Sequence, residues 1–166
     1  MNKNYQGLSW WWVLCVGILT LIILSSLIFW TYKNSPSSKT NRQLALTCTT
    51  DMATQFHIHT NLEIIINGQK QEIPTDVGIN NGCMNSLHTH DNSGKIHIES
   101  PEKRDFNLSD FFAVWNKTYN KNQILDYRAD QNHIIWQTVN GNIVQDYENT
   151  VFRDEDKIII NYETKN

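Results

Sequence analysis

Phe56-His57-Ile58-His59-Thr60-Asn61-Leu62-Glu63-Ile64-Ile65-Ile66-Asn67-Gly68 is the stretch on which the fold turns. Side chains alternate across a strand with a period of two, so Phe56, Ile58, Leu62, Ile64 and Ile66 share one face, interrupted by Thr60. His57, His59, Asn61 and Glu63 fall on the other face. The spacing predicts a half-buried strand over 56–66. Asn67-Gly68 is the favoured pair for a tight type I′ turn, because both central positions need positive φ. A short return strand is expected over 69–73, stopped by Pro74.

Downstream, residues 75–85 read as loop, with Gly78, Gly82 and asparagines. Then comes Ser86-Leu87-His88-Thr89-His90-Asp91-Asn92-Ser93-Gly94-Lys95-Ile96-His97-Ile98-Glu99. Asp91 to Gly94 has turn composition. A four-residue loop there sets His90 opposite Lys95 and His88 opposite His97, with opposed Cβ atoms about 5 Å apart. His88, His90 and His97 then share one face, and Ile96 and Ile98 the other. A slip of one residue would invert that arrangement.

Asn107-Leu-Ser-Asp-Phe-Phe-Ala-Val-Trp predicts a helix. Asn107 is a capping residue, Asp110 suits the positive end of the dipole, and Leu108, Phe111, Phe112 and Trp115 line one apolar face. Such a stripe reads as core, and the helix is expected to cover the sheet. Residues 117–132 are polar and carry no clear pattern. His133-Ile-Ile-Trp-Gln-Thr-Val, Asn140-Gly141 and Asn142-Ile-Val-Gln form a second Asn-Gly hairpin, with His133 read as a surface residue. Asp154-Glu155-Asp156 turns into a last strand, Lys157 to Tyr162. The expected class is α+β, β-grasp-like, with one helix across a mixed sheet; an antiparallel β-sandwich is the runner-up.

The N-terminal part is different in kind. Leu8 to Trp30 is uncharged and mostly apolar, long enough to span a bilayer, which takes about 20 helical residues. Trp10, Trp11 and Trp12 at one end and Trp30 and Tyr32 at the other suit the two interfaces. The run exceeds the about 7–15 residues of a signal-peptide core, and no A-x-A cleavage pattern follows, so it is read as an uncleaved anchor. The expected division is a tail over 1–7, a transmembrane anchor over 8–30, a polar linker over 31–43 and a histidine-rich domain over 44–166. Lys3 before the span against Lys33, Lys39 and Arg42 after it favours a cytoplasmic domain. An N-terminal anchor ahead of one folded domain favours export, to the periplasm or the cell surface, and export is the reading adopted. Asn107-Leu-Ser and Asn116-Lys-Thr match glycosylation sequons, a pattern common by chance. A net charge of −3 excludes the basic footprint of a nucleic-acid binder.

Five of the six histidines lie in the two segments quoted. His-x-His on a strand puts two imidazoles on one face with Cα atoms about 6.7 Å apart, so both can meet one ion. His57, His59, His88, His90 and His97 are therefore the candidate ligands. Imidazole suits copper and zinc, with iron behind; Met52 and Met84 do not make a methionine-rich copper(I) site. Glu63, Asp91 and Glu99 are candidate ligands or partners for the ring N–H groups. Structural or pH-sensing histidines are the competing readings. Cys15 lies in the apolar run. Cys48 and Cys83 read first as a disulfide of an exported domain, with a thiolate ligand or free thiols as alternatives.

Known catalytic patterns fit poorly. No His-Glu-x-x-His occurs, and Leu-His-Thr-His resembles phosphoesterases that are usually larger, with ligands on many strand ends. The proline and spaced Ser-x-x-Asp of metal-dependent isopeptidases are missing, and no serine or cysteine triad is supported. Residues 56–115 do resemble a family of small exported or membrane-anchored prokaryotic proteins. The shared features are a His-x-His strand ending in Asn-Gly, the run Leu87 to Pro101, and Phe106 to Trp115. The resemblance implies the site and its location but no reaction. Relatives with a further histidine where this chain has Asn61 imply one imidazole fewer here. The leading expectation is a membrane-anchored, extracytoplasmic transition-metal-binding protein. A metal-dependent hydrolase or oxidase, with Glu63 or Asp91 as base, and a β-grasp interaction module without metal are the alternatives.

Overall fold

The computed structural model describes residues 10–35, 38–51 and 54–165. The expected tail over 1–7, the first residues of the span and Met52 lie outside them. Two compact units are present, one ending at Ser38 and one running from Lys39 onward.

In the first unit, α1 (Trp10–Asn34) is a helix of 25 residues, about 37 Å at 1.5 Å per residue. It exceeds a hydrocarbon core of about 30 Å, and none of its side chains is buried against protein. It runs beyond Trp30, into the polar stretch expected as linker. The hydroxyls of Thr20, Ser25, Ser26 and Thr31 donate to carbonyls three residues earlier, so these polar groups are satisfied within the helix.

The second unit starts inside that stretch as well. Thr40 caps α2 (Asn41–Ala45) through a reciprocal box with Gln43, and Leu44 and Ala45 are buried. The remaining elements are β1 (Phe56–Ile66), β2 (Gln69–Gln71), β3 (Ile79–Asn80), β4 (Cys83–Met84), β5 (Leu87–His88), β6 (Lys95–Ser100), α3 (Leu108–Val114), β7 (Tyr119–Asn120), β8 (Gln123–Ile124), β9 (Tyr127–Arg128), β10 (His133–Val139), β11 (Asn142–Val144) and β12 (Lys157–Thr164). The main sheet has the order β11-β10-β12-β1-β6-β5, with β2 also paired to β1. It is mixed, because β1 and β12 run parallel and the other pairs antiparallel. The antiparallel sandwich is thereby excluded: the last strand enters the centre of the sheet, between β10 and β1.

β1 positions the histidines because it is long enough to take two partners in succession along one edge. Its second half pairs with β2 and its first half with β6. Ile64, Leu62, Ile96, Ile98 and Leu87 point into the core, where Leu108, Phe111 and Phe112 of α3 join them. Asn107 and Asp110 form the cap of α3 reciprocally, and Asp110 also takes an ion pair from Arg42 of α2 at 2.9 Å.

Three local expectations are corrected. The return strand ends at Gln71. Residues 75–85 contain a small hairpin, β3–β4, turned by Asn81 (φ 39°) and Gly82 (φ 87°), a third Asn-Gly pair. Residues 117–132 hold the three-stranded ribbon β7-β8-β9, whose anchors Tyr119 and Ile124 are buried. The Tyr119 hydroxyl donates to Gln137 of β10, and burial pushes its pKa up.

Candidate metal centre

The register across β1, β6 and β5 forms the site. His59 of β1 lies opposite His97 of β6, and His97 lies opposite His88 of β5. Paired residues point to the same side of a sheet, so His59, His97 and His88 make a row across three strands. His57 sits one alternation from His59, opposite Glu99. His90 follows β5 at the other end of the row.

Ring centroids confirm the convergence. His97 is 4.5 Å from His59, 4.6 Å from His90, 5.4 Å from His88 and 5.7 Å from His57. Two trios of nitrogen donors result, His57-His59-His97 and His88-His90-His97, each with its donor atoms within 4.8 Å of one another. Nε2 of His57 approaches Nδ1 of His97 at 3.5 Å.

His88 is the buried member, with 0% of its surface exposed. Its Nδ1 lies 3.0 Å from the Asn85 carbonyl oxygen. A carbonyl only accepts, so Nδ1 carries the proton and Nε2 holds the lone pair of a neutral ring. That Nε2 is buried and has no hydrogen-bond partner among the described residues. Burial pushes the His88 pKa below its usual value, against raising contributions from the Asn85 carbonyl and Glu99. His97 is pushed down to about 4, first by burial and then by the other four imidazoles.

Glu99 is the carboxylate at the centre. Its Oε1 is 3.3 Å from Nε2 of His57 and 4.0 Å from Nε2 of His88, and its Oε2 accepts from the Thr54 hydroxyl at 3.3 Å. The other two candidate carboxylates are engaged elsewhere. Asp91 accepts from the Ser93 backbone N–H at 2.9 Å, and its hydrogen bonds with Ser93 hold its pKa low. Asp91 therefore caps the turn it stands in. Glu63 lies farther along β1, near Lys70 at 4.0 Å and Lys157 at 3.9 Å.

The predicted pairing of His90 with Lys95 does not form, because β5 ends at His88. The next residue is claimed by the loop that covers it. The Thr89 backbone N–H donates to Val77 and its carbonyl accepts from Asp76. Its hydroxyl donates to Pro74 O at 2.8 Å and accepts from Val77 N at 3.1 Å. That seam seals His88. Gly78 (φ +75°) lies so close that a Cβ would stand 2.5 Å from Leu87 O and 3.3 Å from the His88 Cβ. Gly94 (φ +90°) seats the hairpin on β1: its carbonyl accepts from Leu62 N at 2.8 Å, and a Cβ would meet Leu62 O at 2.3 Å.

Asn85 and Thr89 are site residues that the histidine pattern does not point to. Asn85 orients His88 through its carbonyl, and its Nδ2 donates to Ala45 O at 2.8 Å. The end of α2 thus holds the residue that holds the histidine. Cys48 and Cys83 are joined by a disulfide, and Thr49 bridges Met84 beside it, which ties the same region from the other side. On β1, His59 also forms a group with Asp154 and Glu155. There the Asp154 carboxylate accepts from the His59 backbone N–H at 3.0 Å, so its role is to close the turn before β12. His133 lies apart, stacked on Tyr162 at 5.1 Å and bonded to Asp130 at 2.9 Å.

Comparison of the chain with family models, with curated proteins and with solved structures returns no match.

Proposed function

We propose that this chain is a membrane-anchored, extracytoplasmic protein that binds a transition-metal ion through His57, His59, His88, His90 and His97. Its role is metal handling: sequestration, delivery or sensing. The observation that carries the reading is Nε2 of His88. A buried polar atom without a partner costs about 1–3 kcal/mol, and this one has its tautomer fixed by Asn85. A hydrogen bond from the second ring nitrogen to a carbonyl is the usual support of a metal-bound histidine. All-nitrogen donors with a nearby carboxylate suit copper and zinc first, and iron after them.

Export is supported by the Cys48–Cys83 disulfide, since such bonds persist in oxidising compartments. Anchoring is supported by the length and apolar character of α1. A β-grasp assignment is supported by the central parallel pair β1–β12 with hairpins outside it. The resemblance of residues 56–115 to small exported or membrane-anchored prokaryotic proteins points to the same location.

A metal-dependent hydrolase or oxidase is the second reading. Each trio leaves a fourth coordination position open, the exposed His57 and His90 face solvent, and Glu99 stands where a base is needed. Turnover of a phosphoester or ester by the metal-loaded chain, lost in Glu99→Gln with metal content unchanged, would favour it.

Equilibrium dialysis of the full chain in detergent at neutral pH, against zinc and against copper, tests the main reading. Stoichiometric binding that falls at least tenfold in affinity in the His88→Ala/His90→Ala double variant is expected. Absence of binding, or unchanged affinity in that variant, overturns it.

A further inference from the structure

The row His59-His97-His88 joins two donor groups through one ring. His97 belongs to both trios, and an imidazole has two ring nitrogens. Its Nδ1 faces the first trio, 3.5 Å from Nε2 of His57. Its Nε2 is then the nitrogen left for the second trio, whose rings lie on its other neighbours: His88 stacks on it at 13° and His90 meets it edge-on at 80°.

Glu99 repeats the relationship independently. Its Oε1 approaches one imidazole of each trio, His57 of the first and His88 of the second. One imidazole therefore belongs to both donor groups, and one carboxylate oxygen stands within 4.0 Å of an imidazole of each.

We propose that the site is dinuclear, taking two transition-metal ions side by side, with His97 shared between them and Glu99 beside both. This rests on the metal-binding reading above. His57 and His59 complete the coordination of one ion, His88 and His90 that of the other. His97 gives one nitrogen to each, and its ring proton leaves to solvent when the second ion binds. The two positions differ in kind. The His88 position has a sealed floor built by Asn85, Thr89 and Gly78. The His57-His59 position has no buried ligand of its own, His57 being exposed and His59 half-buried, whereas the exposed His90 is paired with the buried His88. The first ion to arrive occupies the His88 position, and the second is the exchangeable one. That order fits a protein that holds one ion and passes on another.

The test is metal stoichiometry of the full chain in detergent, with zinc or copper(II) alone as probe, by dialysis and elemental analysis. Two ions per chain are expected in the unaltered protein, and one in each of His59→Ala and His90→Ala, single substitutions that leave the opposite pair intact. The ion kept by His59→Ala should be the slower to leave under chelator. In the copper(II)-loaded chain, electron paramagnetic resonance should show a magnetically coupled pair, lost in both variants. One ion per chain in the unaltered protein overturns the dinuclear centre and leaves the metal-binding reading standing. Zero ions overturns both. Two ions with independent signals and no coupling overturns the sharing of His97.

Discussion

The two flanks of the histidine row are built by different means. On the β5 flank, His88 is enclosed, its tautomer fixed by Asn85 and its neighbour Thr89 sewn to residues 74–77. On the β1 flank, His57 and His59 stand on the open face of a strand, restrained by strand pairing and by the turn before β12. The same donor chemistry is thus presented once on a floor set by the core and once on a surface that solvent reaches. A preorganised donor loses less freedom on binding, whereas an exposed one exchanges more readily. Under the proposed dinuclear binding, this difference would let one end retain an ion and the other release one.

Breaking the enclosed flank has the largest expected effect. His88→Ala removes a fully buried ring and strands the Asn85 carbonyl, which outweighs relief of the unpartnered Nε2, so denaturant unfolding of the metal-free chain should show a loss of about 1–3 kcal/mol. A loss under about 0.5 kcal/mol would mean that His88 is not the floor of the site. Gly94→Ala comes next. A side chain at φ +90° with its Cβ 2.3 Å from Leu62 O forces the hairpin off β1, at a cost of about 1–3 kcal/mol. Metal affinity should fall in parallel, because His97 and His59 lose their register.

Acid sharpens the comparison by acting on the central ring. The folded pKa of His97 is lowered from 6.5 to about 4. Between those values the unfolded chain binds a proton that the folded chain refuses. Stability of the metal-free chain is therefore fully present above pH 6.5, declines as pH falls through that window and levels off below about 4. The lowered pKa of His88 acts in the same direction. In His97→Asn the decline should be shallower, and a slope equal to that of the unaltered chain would assign the acid sensitivity elsewhere. The smallest effect belongs to the open flank. His57→Ala should change stability by less than about 0.5 kcal/mol, as exposed positions do, while still weakening metal retention.

Much of this was legible in the alternation of residues 56–66 and 95–100. Strand identity, the inward turn of Ile96 and Ile98, the opposition of His88 and His97, and the cap at Asn107 all follow from local chemistry. The long-range pairing was not. Nothing near His59 in the chain says that it faces His97, because that register is fixed by the two partners β1 takes along one edge and by Gly94 against Leu62. The sealing loop carries no pattern in the sequence, since two-residue strands are too short to show a period. The helical turn Asn41–Ala45 was hidden in a polar stretch, although Thr40 and Gln43 carry its capping box. Asp91 and Glu63 looked equivalent to Glu99 as acidic neighbours, and only the fold separates a turn cap and a lysine partner from the carboxylate between two imidazoles.

Everything proposed for this site depends on Nε2 of His88 acting as a metal ligand. Anomalous diffraction at the zinc edge from crystals of the full chain grown with zinc locates the ion relative to that atom. The expected result is a peak at bonding distance from that atom, about 2.0–2.1 Å, with His90 and His97 around the same ion. Zinc bound only at exposed histidines such as His57 or His133, with Nε2 of His88 uncoordinated, would contradict it.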